Sequence, residues 1–516
     1  MLRSKMLLLG LGLVCLGVGL VRPARALLLV PGIFSNNMVL QQGRRIPVWG
    51  WTTPGRQVEV DLAGHKTTAV ADLDGEWMVK LPAMKAGGPW KMFISADGTT
   101  LRFGNILIGE VWLCSGQSNL EFGMKMVRHA KQEIAAASHP NIRLLMVPRT
   151  SAFMPVGYVH AKWKLCTPQT IVQGGWGGFS GVAYFFARQL RQKLKVPIGV
   201  IDASWGGTRI QSWMPLQAFE SSPMFAATAR HMRSLLVQRR QLYATSLANL
   251  PQPLSTYRRA VLAGQPLPSP LPNIDGGFAG SAMFNGMIAP LIPYGIRGVI
   301  WYQGENNVGT GMIYARYMQA MIATWRKRWG EGTFPFYYVQ IAPYFYSSDV
   351  TQEPLIWNAQ LAALSAPKTG MVVTYDIARD TGNLHPRNKQ AVARRLARWA
   401  FARTYGFKHV AYSGPLYKSL RIAGNTAWVS FYHVDGGLAS SNKKPLSWFA
   451  IAGADGKLFP ARAVIVGDAV KVFSAKVAHP TTVTLGWSQT ARPNLINKAG
   501  LPASAFDSAL LPGDTR

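Results

Sequence analysis

Five short apolar runs, at residues 107–114, 198–203, 298–301, 335–342 and 371–376, constrain this chain more than any other feature. Helical sequence lies between or after them. Residues 181–194 place Phe185, Leu190 and Leu194 among basic side chains, and 311–329 and 388–404 are also helical in pattern. Strands that alternate with helices build a parallel sheet in an α/β fold. Open sheets of this kind present their ligand sites beyond the C-terminal ends of the strands. Four loops occupy such ends here: Gly116–Asn119, Trp205–Thr208, Gln303–Asn306 and Asn383–Pro386.

The flanks read differently. In residues 27–106, Val58, Val60 and Leu62 alternate with polar residues, as a half-buried strand requires. Pro54-Gly55 precedes this strand, and Asp74-Gly75 is expected to join it to the next, where Trp77 and Val79 point to one side. A small β-sandwich fits this region. From residue 406 to 516 the pattern is again β. Trp428, Ser430 and Tyr432 share one face, Val429 and Phe431 the other, and Gly467-Asp468 marks a hairpin. Residues 107–405 are then the α/β domain, with arginine-rich and proline-rich sequence at 218–275 read as an insertion near its active face.

Residues 1–26 combine Arg3 and Lys5, an apolar run over 6–21 and Ala24-Arg25-Ala26. This is the pattern of a secretory signal, and it predicts a secreted or periplasmic protein. No later stretch is apolar and long enough to span a bilayer. Beyond the signal only Cys114 and Cys166 remain, so disulfides are not the scaffold, and both read as buried thiols. Apolar residues make up 48% of the chain and charged ones 15%, enough for several packed cores. The formal net charge of +32 becomes about +28 without the signal, so the surface attracts anions. Its lysines and arginines are scattered, and nucleic-acid binding is not expected.

The loops carry the chemistry. A serine hydroxyl becomes a useful nucleophile when a base takes its proton. Ser118 follows Gly116, which permits a tight turn, and its backbone N–H can face a developing oxyanion. Gly206 and Gly207 follow a buried strand and can add a second N–H, or simply make a turn. The Gln303 side-chain amide is either a third donor or an ordinary buried hydrogen-bonding group. Glu305 reads as a buttress of its loop. His385 is held extended by Pro386, away from the helix that follows. The sequence lacks His-Glu-x-x-His, paired Cys-x-x-Cys, a phosphate-binding Gly-x-x-x-x-Gly-Lys and Gly-x-Ser-x-Gly at a strand end. No metal or other cofactor is expected.

The segment Gly109-Glu110-Val111-Trp112-Leu113-Cys114-Ser115-Gly116-Gln117-Ser118-Asn119 resembles the nucleophile block of the sialate O-acetylesterase family. Matching blocks follow in order: Ser204-Trp205-Gly206-Gly207-Thr208, Trp301-Tyr302-Gln303-Gly304-Glu305 and His385-Pro386-Arg387-Asn388-Lys389. Phe34 to Gln41, Pro47 to Trp51, Asn494 to Asn497 and Gly500 to Ser504 extend the resemblance over nearly the whole mature chain. It implies a three-layer α/β/α domain of the SGNH-hydrolase type with parallel sheet, flanked by β-sandwich-like domains. It also implies metal-independent hydrolysis of acetyl esters of carbohydrates, foremost O-acetylated sialic acids. Carried over by position, Ser118 is the nucleophile and His385 the base. Ser118 N–H, Gly207 and Gln303 hold the oxyanion, with Gly206 the weaker choice.

One departure matters. Relatives often carry an aspartate two or three residues before the histidine, where this chain has Asn383 and Gly382. An acid there fixes the imidazole tautomer, and its loss in a serine protease lowers turnover about 10⁴-fold. Asp380 reaching back, Asn383, or a backbone carbonyl orienting a Ser–His dyad are the alternatives. Asp376 reads as structural. Two further functions stay open on sequence: an esterase acting on acetylated xylan or another polysaccharide, and a carbohydrate-binding protein with weakened catalysis.

Overall fold

Six parallel strands form the centre of the molecule in the computed structural model, which describes residues 28–253, 256–257, 260, 268–378 and 380–511. The expected signal at 1–26 lies outside the described residues. The strands are β1 (Thr99–Gly116), β2 (His139–Met146), β3 (Ile198–Ser204), β4 (Gly298–Tyr302), β5 (Phe336–Val339) and β6 (Thr369–Val372). They lie in the order β2-β3-β1-β4-β5-β6, with Lys164–Cys166 added antiparallel at the β2 edge. The order reverses beside β1, which therefore marks the crevice where such sheets place ligands. The runs expected at 335–342 and 371–376 are shorter or shifted, ending as β5 and β6.

Helices cover both faces of this sheet. Trp112 on β1 packs edge-on against Phe186 of α2 (Gly181–Leu194), with ring centroids 5.0 Å apart. Its register partner on β4 is Gly298, so Trp301, three residues on, points the other way. There it meets Trp325 of α3 (Ile313–Trp329) at 6.0 Å. The sheet centre is therefore sealed by large aromatic rings on each side. Helix α4 (Gln352–Ala362) precedes β6, and α5 (Lys389–Trp399) continues into a π-helical turn at Ala400–Thr404. Helices α2 and α5 pack side by side. Among the described residues no helix is long and apolar enough to cross a membrane. Cys114 and Cys166 are buried and unbridged.

The amino-terminal β region departs from the expected layout. The strand Gln57–Leu62 forms, with Val58, Val60 and Leu62 buried, but it pairs with His65–Val70 and Gly87–Ala96. Asp74-Gly75 therefore leads from His65–Val70 into Glu76–Leu81, which pairs with Ile46–Trp51 in a separate ribbon. The expected boundary at 106 falls inside β1. The first part of that strand pairs with Gly87–Ala96, and the last part with β3 and β4. In the carboxy-terminal region the antiparallel strands Leu416–Ala423, Thr426–Tyr432, Arg462–Val466 and Ala469–Phe473 form one sheet. Val429 and Phe431 face inward there, as their alternation requires. Within 218–275 the long helix Ala226–Ala248 is largely exposed, with Ala229 its buried residue.

Candidate active site

Parallel register sets three loops side by side. Gly116 at the end of β1 lies opposite Ser204 on β3 and Tyr302 on β4. The Trp205 N–H donates to the Gly116 carbonyl (3.0 Å) and the Gln117 N–H to the Tyr302 carbonyl (3.0 Å). Gly116 has φ +142°, and a Cβ there would lie 2.2 Å from the Tyr302 carbonyl oxygen. No residue with a side chain fits without moving β4. Ser118 starts the short helix α1 (Ser118–Glu121) immediately after this crossing and is 9% exposed.

The fourth loop closes on the same point. His385 Nε2 and Ser118 Oγ are 2.8 Å apart, although 267 positions separate them in sequence. That is within direct proton-transfer reach. Phe122 stacks on the His385 ring at 6.1 Å and Trp176 meets it edge-on at 4.9 Å. Burial, aided by the Lys389 charge, holds the imidazole down to about 4, so it is neutral at ordinary pH.

Neither residue expected to orient the imidazole touches its ring. Asn383 Oδ1 accepts the His385 backbone N–H (2.9 Å). Asp380 Oδ1 accepts the Gly382 N–H (2.8 Å), so its carboxylate stabilises its own turn. Among the described residues none hydrogen bonds to Nδ1. Asp376 forms a two-point ion pair with Arg395 on α5, at 2.7 and 2.5 Å.

Above Ser118, two backbone N–H groups have no acceptor among the described residues, those of Ser118 and Gly207. Gly207 is exposed with φ +73°. The Gly206 N–H is engaged, donating to Glu121 Oε2 (2.7 Å), while Glu121 also pairs with Arg149. Gln303 is not where the resemblance implied. It is fully buried, and Nε2 donates to the Thr208 carbonyl (3.2 Å) and to Asn307 Oδ1 (2.7 Å). Its Oε1 accepts from the Tyr314 hydroxyl (2.8 Å). The exposed amide of this loop belongs instead to Asn306, whose Nδ2 donates to the Gly207 carbonyl (2.6 Å) and keeps a second hydrogen. Gln117 Oε1 accepts the N–H groups of Gly304 and Asn306 at 3.4 and 3.3 Å, tying this loop to the nucleophile loop. Glu305 is buried and accepts from Asn119, which fits the expected buttress.

Residues 108–244 and 280–402, the span that carries all four loops, match the model of the carbohydrate esterase, sialic acid-specific acetylesterase family. The chain belongs to this acetylesterase family. Sialate O-acetylesterase of Rattus norvegicus is 32% identical over 75% of this chain and 76% of its own length. The Homo sapiens sialate O-acetylesterase is 28% identical over 89% and 87%. A crystal structure of a carbohydrate acetylesterase from Xanthomonas citri superposes with TM-score 0.78 at 32% identity, covering 93% of this chain and 99% of that one. This acetylesterase is thus a carboxylic ester hydrolase. Sequence reasoning missed three members of the site: Asn306, Asn119 and Lys389. Asn306 was visible as a second amide in the Gln303–Asn306 loop.

Proposed function

We propose that this acetylesterase removes O-acetyl groups from carbohydrate through an acetyl-enzyme on Ser118, on an SGNH-type catalytic domain. The 2.8 Å contact between Ser118 Oγ and His385 Nε2 carries the reading. His385 takes the Ser118 proton as Oγ attacks the acetyl carbonyl. The oxyanion is met by the Ser118 and Gly207 N–H groups and the free Asn306 amide hydrogen. The imidazolium then protonates the departing sugar oxygen. Water, deprotonated by His385, cleaves the acetyl-enzyme by the same route and releases acetate.

Aromatic side chains support a sugar as the leaving group. Trp176 is 38% exposed beside His385. Phe278, 61% exposed, stacks edge-on against Trp205, next to the Gly206-Gly207 loop, at 5.4 Å. Exposed rings on two sides of a nucleophile suit the apolar faces of pyranoses. The names of the mammalian relatives favour O-acetylated sialic acid as the substrate. The near full-length match to the Xanthomonas carbohydrate acetylesterase supports the broader class, acetylated carbohydrate, within which an acetylated polysaccharide such as xylan is the second reading. A cleaved leader over 1–26 would deliver the enzyme outside the cytoplasm to either substrate.

Acetate release from O-acetylated sialic acid and from acetylated xylan separates the two readings. Ser118→Ala and His385→Ala are each expected to lower kcat by at least about 10³-fold on the better substrate. Full hydrolysis by Ser118→Ala would eliminate the acetyl-enzyme.

A further inference from the structure

Behind the Ser118–His385 pair runs a buried chain of three polar side chains. Glu305 is 4% exposed, and Asn119 and Lys389 are 0% exposed. Asn119 is the centre. Its Nδ2 donates to Glu305 Oε1 (2.5 Å) and to the Leu384 carbonyl (2.9 Å), and its Oδ1 accepts from Lys389 Nζ (2.5 Å). The Lys389 ammonium also lies over the Phe122 ring at 4.8 Å and the Tyr302 ring at 5.2 Å. Taking an ammonium and a carboxylate out of water costs free energy that a packed apolar cluster avoids. Their retention here calls for an account beyond stability.

Position supplies it. Asn119 is covalently next to Ser118, and Leu384 is covalently next to His385. One amide side chain therefore fixes both halves of the reacting pair. Its own two rotatable bonds are locked by a carboxylate on one side and an ammonium on the other. We propose that Asn119, clamped between Glu305 and Lys389, is the positioning residue that sets the His385 imidazole against Ser118, in place of an acid at Nδ1. This rests on the Ser118–His385 reading above.

Replacing an acid by this clamp changes the electrostatics as well as the geometry. A carboxylate at Nδ1 favours the imidazolium, whereas Lys389, which burial holds down to about 7 and which is an ammonium below that pH, disfavours it. The groups facing His385 are Ser118, Phe122, Trp176 and Lys389, with Glu121 beyond Ser118 engaged by Arg149 and the Gly206 N–H. Lys389 in turn faces Asn119, Glu305, Phe122 and Tyr302, and Glu353 lies behind Glu305 with one oxygen on the Tyr344 N–H (3.0 Å). Losing the base requires protonating an imidazole that burial first, and this cation second, hold down to about 4, so the acid limb of the rate profile falls near that pH.

The test compares the wild-type chain with Asn119→Ala, Asn119→Asp, Lys389→Met and Ser118→Ala. Hydrolysis of p-nitrophenyl acetate is followed from pH 3.5 to 8, with melting temperature as the check on folding. Asn119→Asp keeps an acceptor for Lys389 but cannot donate to Leu384. Both Asn119 variants are expected to lower kcat about 10- to 100-fold with KM within about two-fold. Lys389→Met is expected to move the acid limb up by about one pH unit, because a positive neighbour is gone. A carbon-13 NMR titration of His385 in the Ser118→Ala background reads the same imidazole shift without turnover. Folded Asn119 variants with wild-type kcat, or an acid limb and imidazole titration unmoved by Lys389→Met, overturn the proposal. Activity retained by Ser118→Ala would instead overturn the underlying reading, so the two failures are distinct.

Discussion

A side-chain amide has two hydrogens to give, and at Gln303 both are taken by Thr208 and Asn307. Asn306, three residues on, is exposed and has one left. Removing each should therefore do different things. Asn306→Ala is expected to lower kcat about 10²- to 10³-fold with little change in KM, the cost of one oxyanion donor. Gln303→Leu should take the Gln303 donor from the buried Thr208 carbonyl and lower stability by about 1–3 kcal/mol, read as a drop in melting temperature. Equal kinetic effects from the two would place Gln303 back at the oxyanion. At this scale the sequence showed Ser118 and His385, because each sits in a loop at the end of an apolar run or before a proline-led helix. It did not show Asn119 and Lys389. A buried amide and a buried ammonium look like surface residues until the fold covers them, and no periodicity marks them. For the orienting partner of His385 the sequence left Asp380, Asn383 and a backbone carbonyl open, and nearness in sequence does not decide among them. Asp380 and Asn383 are close in sequence, but both turn their oxygens onto backbone N–H groups of their own loop.

Strand β3 carries an acid into the sheet centre. Asp202 is buried between the Ser204 hydroxyl (2.5 Å) and the Ser180 N–H (3.3 Å), and burial pushes its carboxyl up to about 7. The raised value means that the folded chain holds the proton more tightly than the unfolded one. The resulting stabilisation is complete below about pH 4 and is lost as pH rises through 7. Melting temperature should thus fall between pH 5 and 8 by more in the wild type than in Asp202→Asn, with a differential of a few kcal/mol, roughly 1.4 per pH unit. Parallel curves for the two proteins would show that Asp202 does not titrate in this range. Among elements, β3 was legible as a short, mostly apolar run and α2 as apolar residues spaced among basic ones. The strand His65–Val70 was not, since none of its residues is buried and its sequence carries no apolar alternation. Helix α4 was hidden by the opposite condition. It is buried nearly all round, so it lacks a polar stripe, and Pro354 in its first turn resembles a break.

Across the whole molecule, a formal charge of +32 sets a positive field around a site proposed to take acetylated sugars. An acidic sugar should feel that field and a neutral one should not. Raising ionic strength from about 0.01 to 0.5 M shortens the screening length from ~30 Å to a few ångströms. It is expected to lower kcat/KM for O-acetylated sialic acid while leaving p-nitrophenyl acetate unaffected. The same response from both esters would remove charge from the account of specificity. Strand β1 bears on the molecule in another way. Its 18 residues form a single girder, about 60 Å if fully extended, with one end embedded in the outer sheet and the nucleophile loop mounted on the other. The one bend lies at Asn105 (φ +56°), where the register with Gly87–Ala96 shifts, and the strand runs on from there to Gly116. A graft or truncation that treats the amino-terminal region as a detachable module must saw through the beam that aims Ser118.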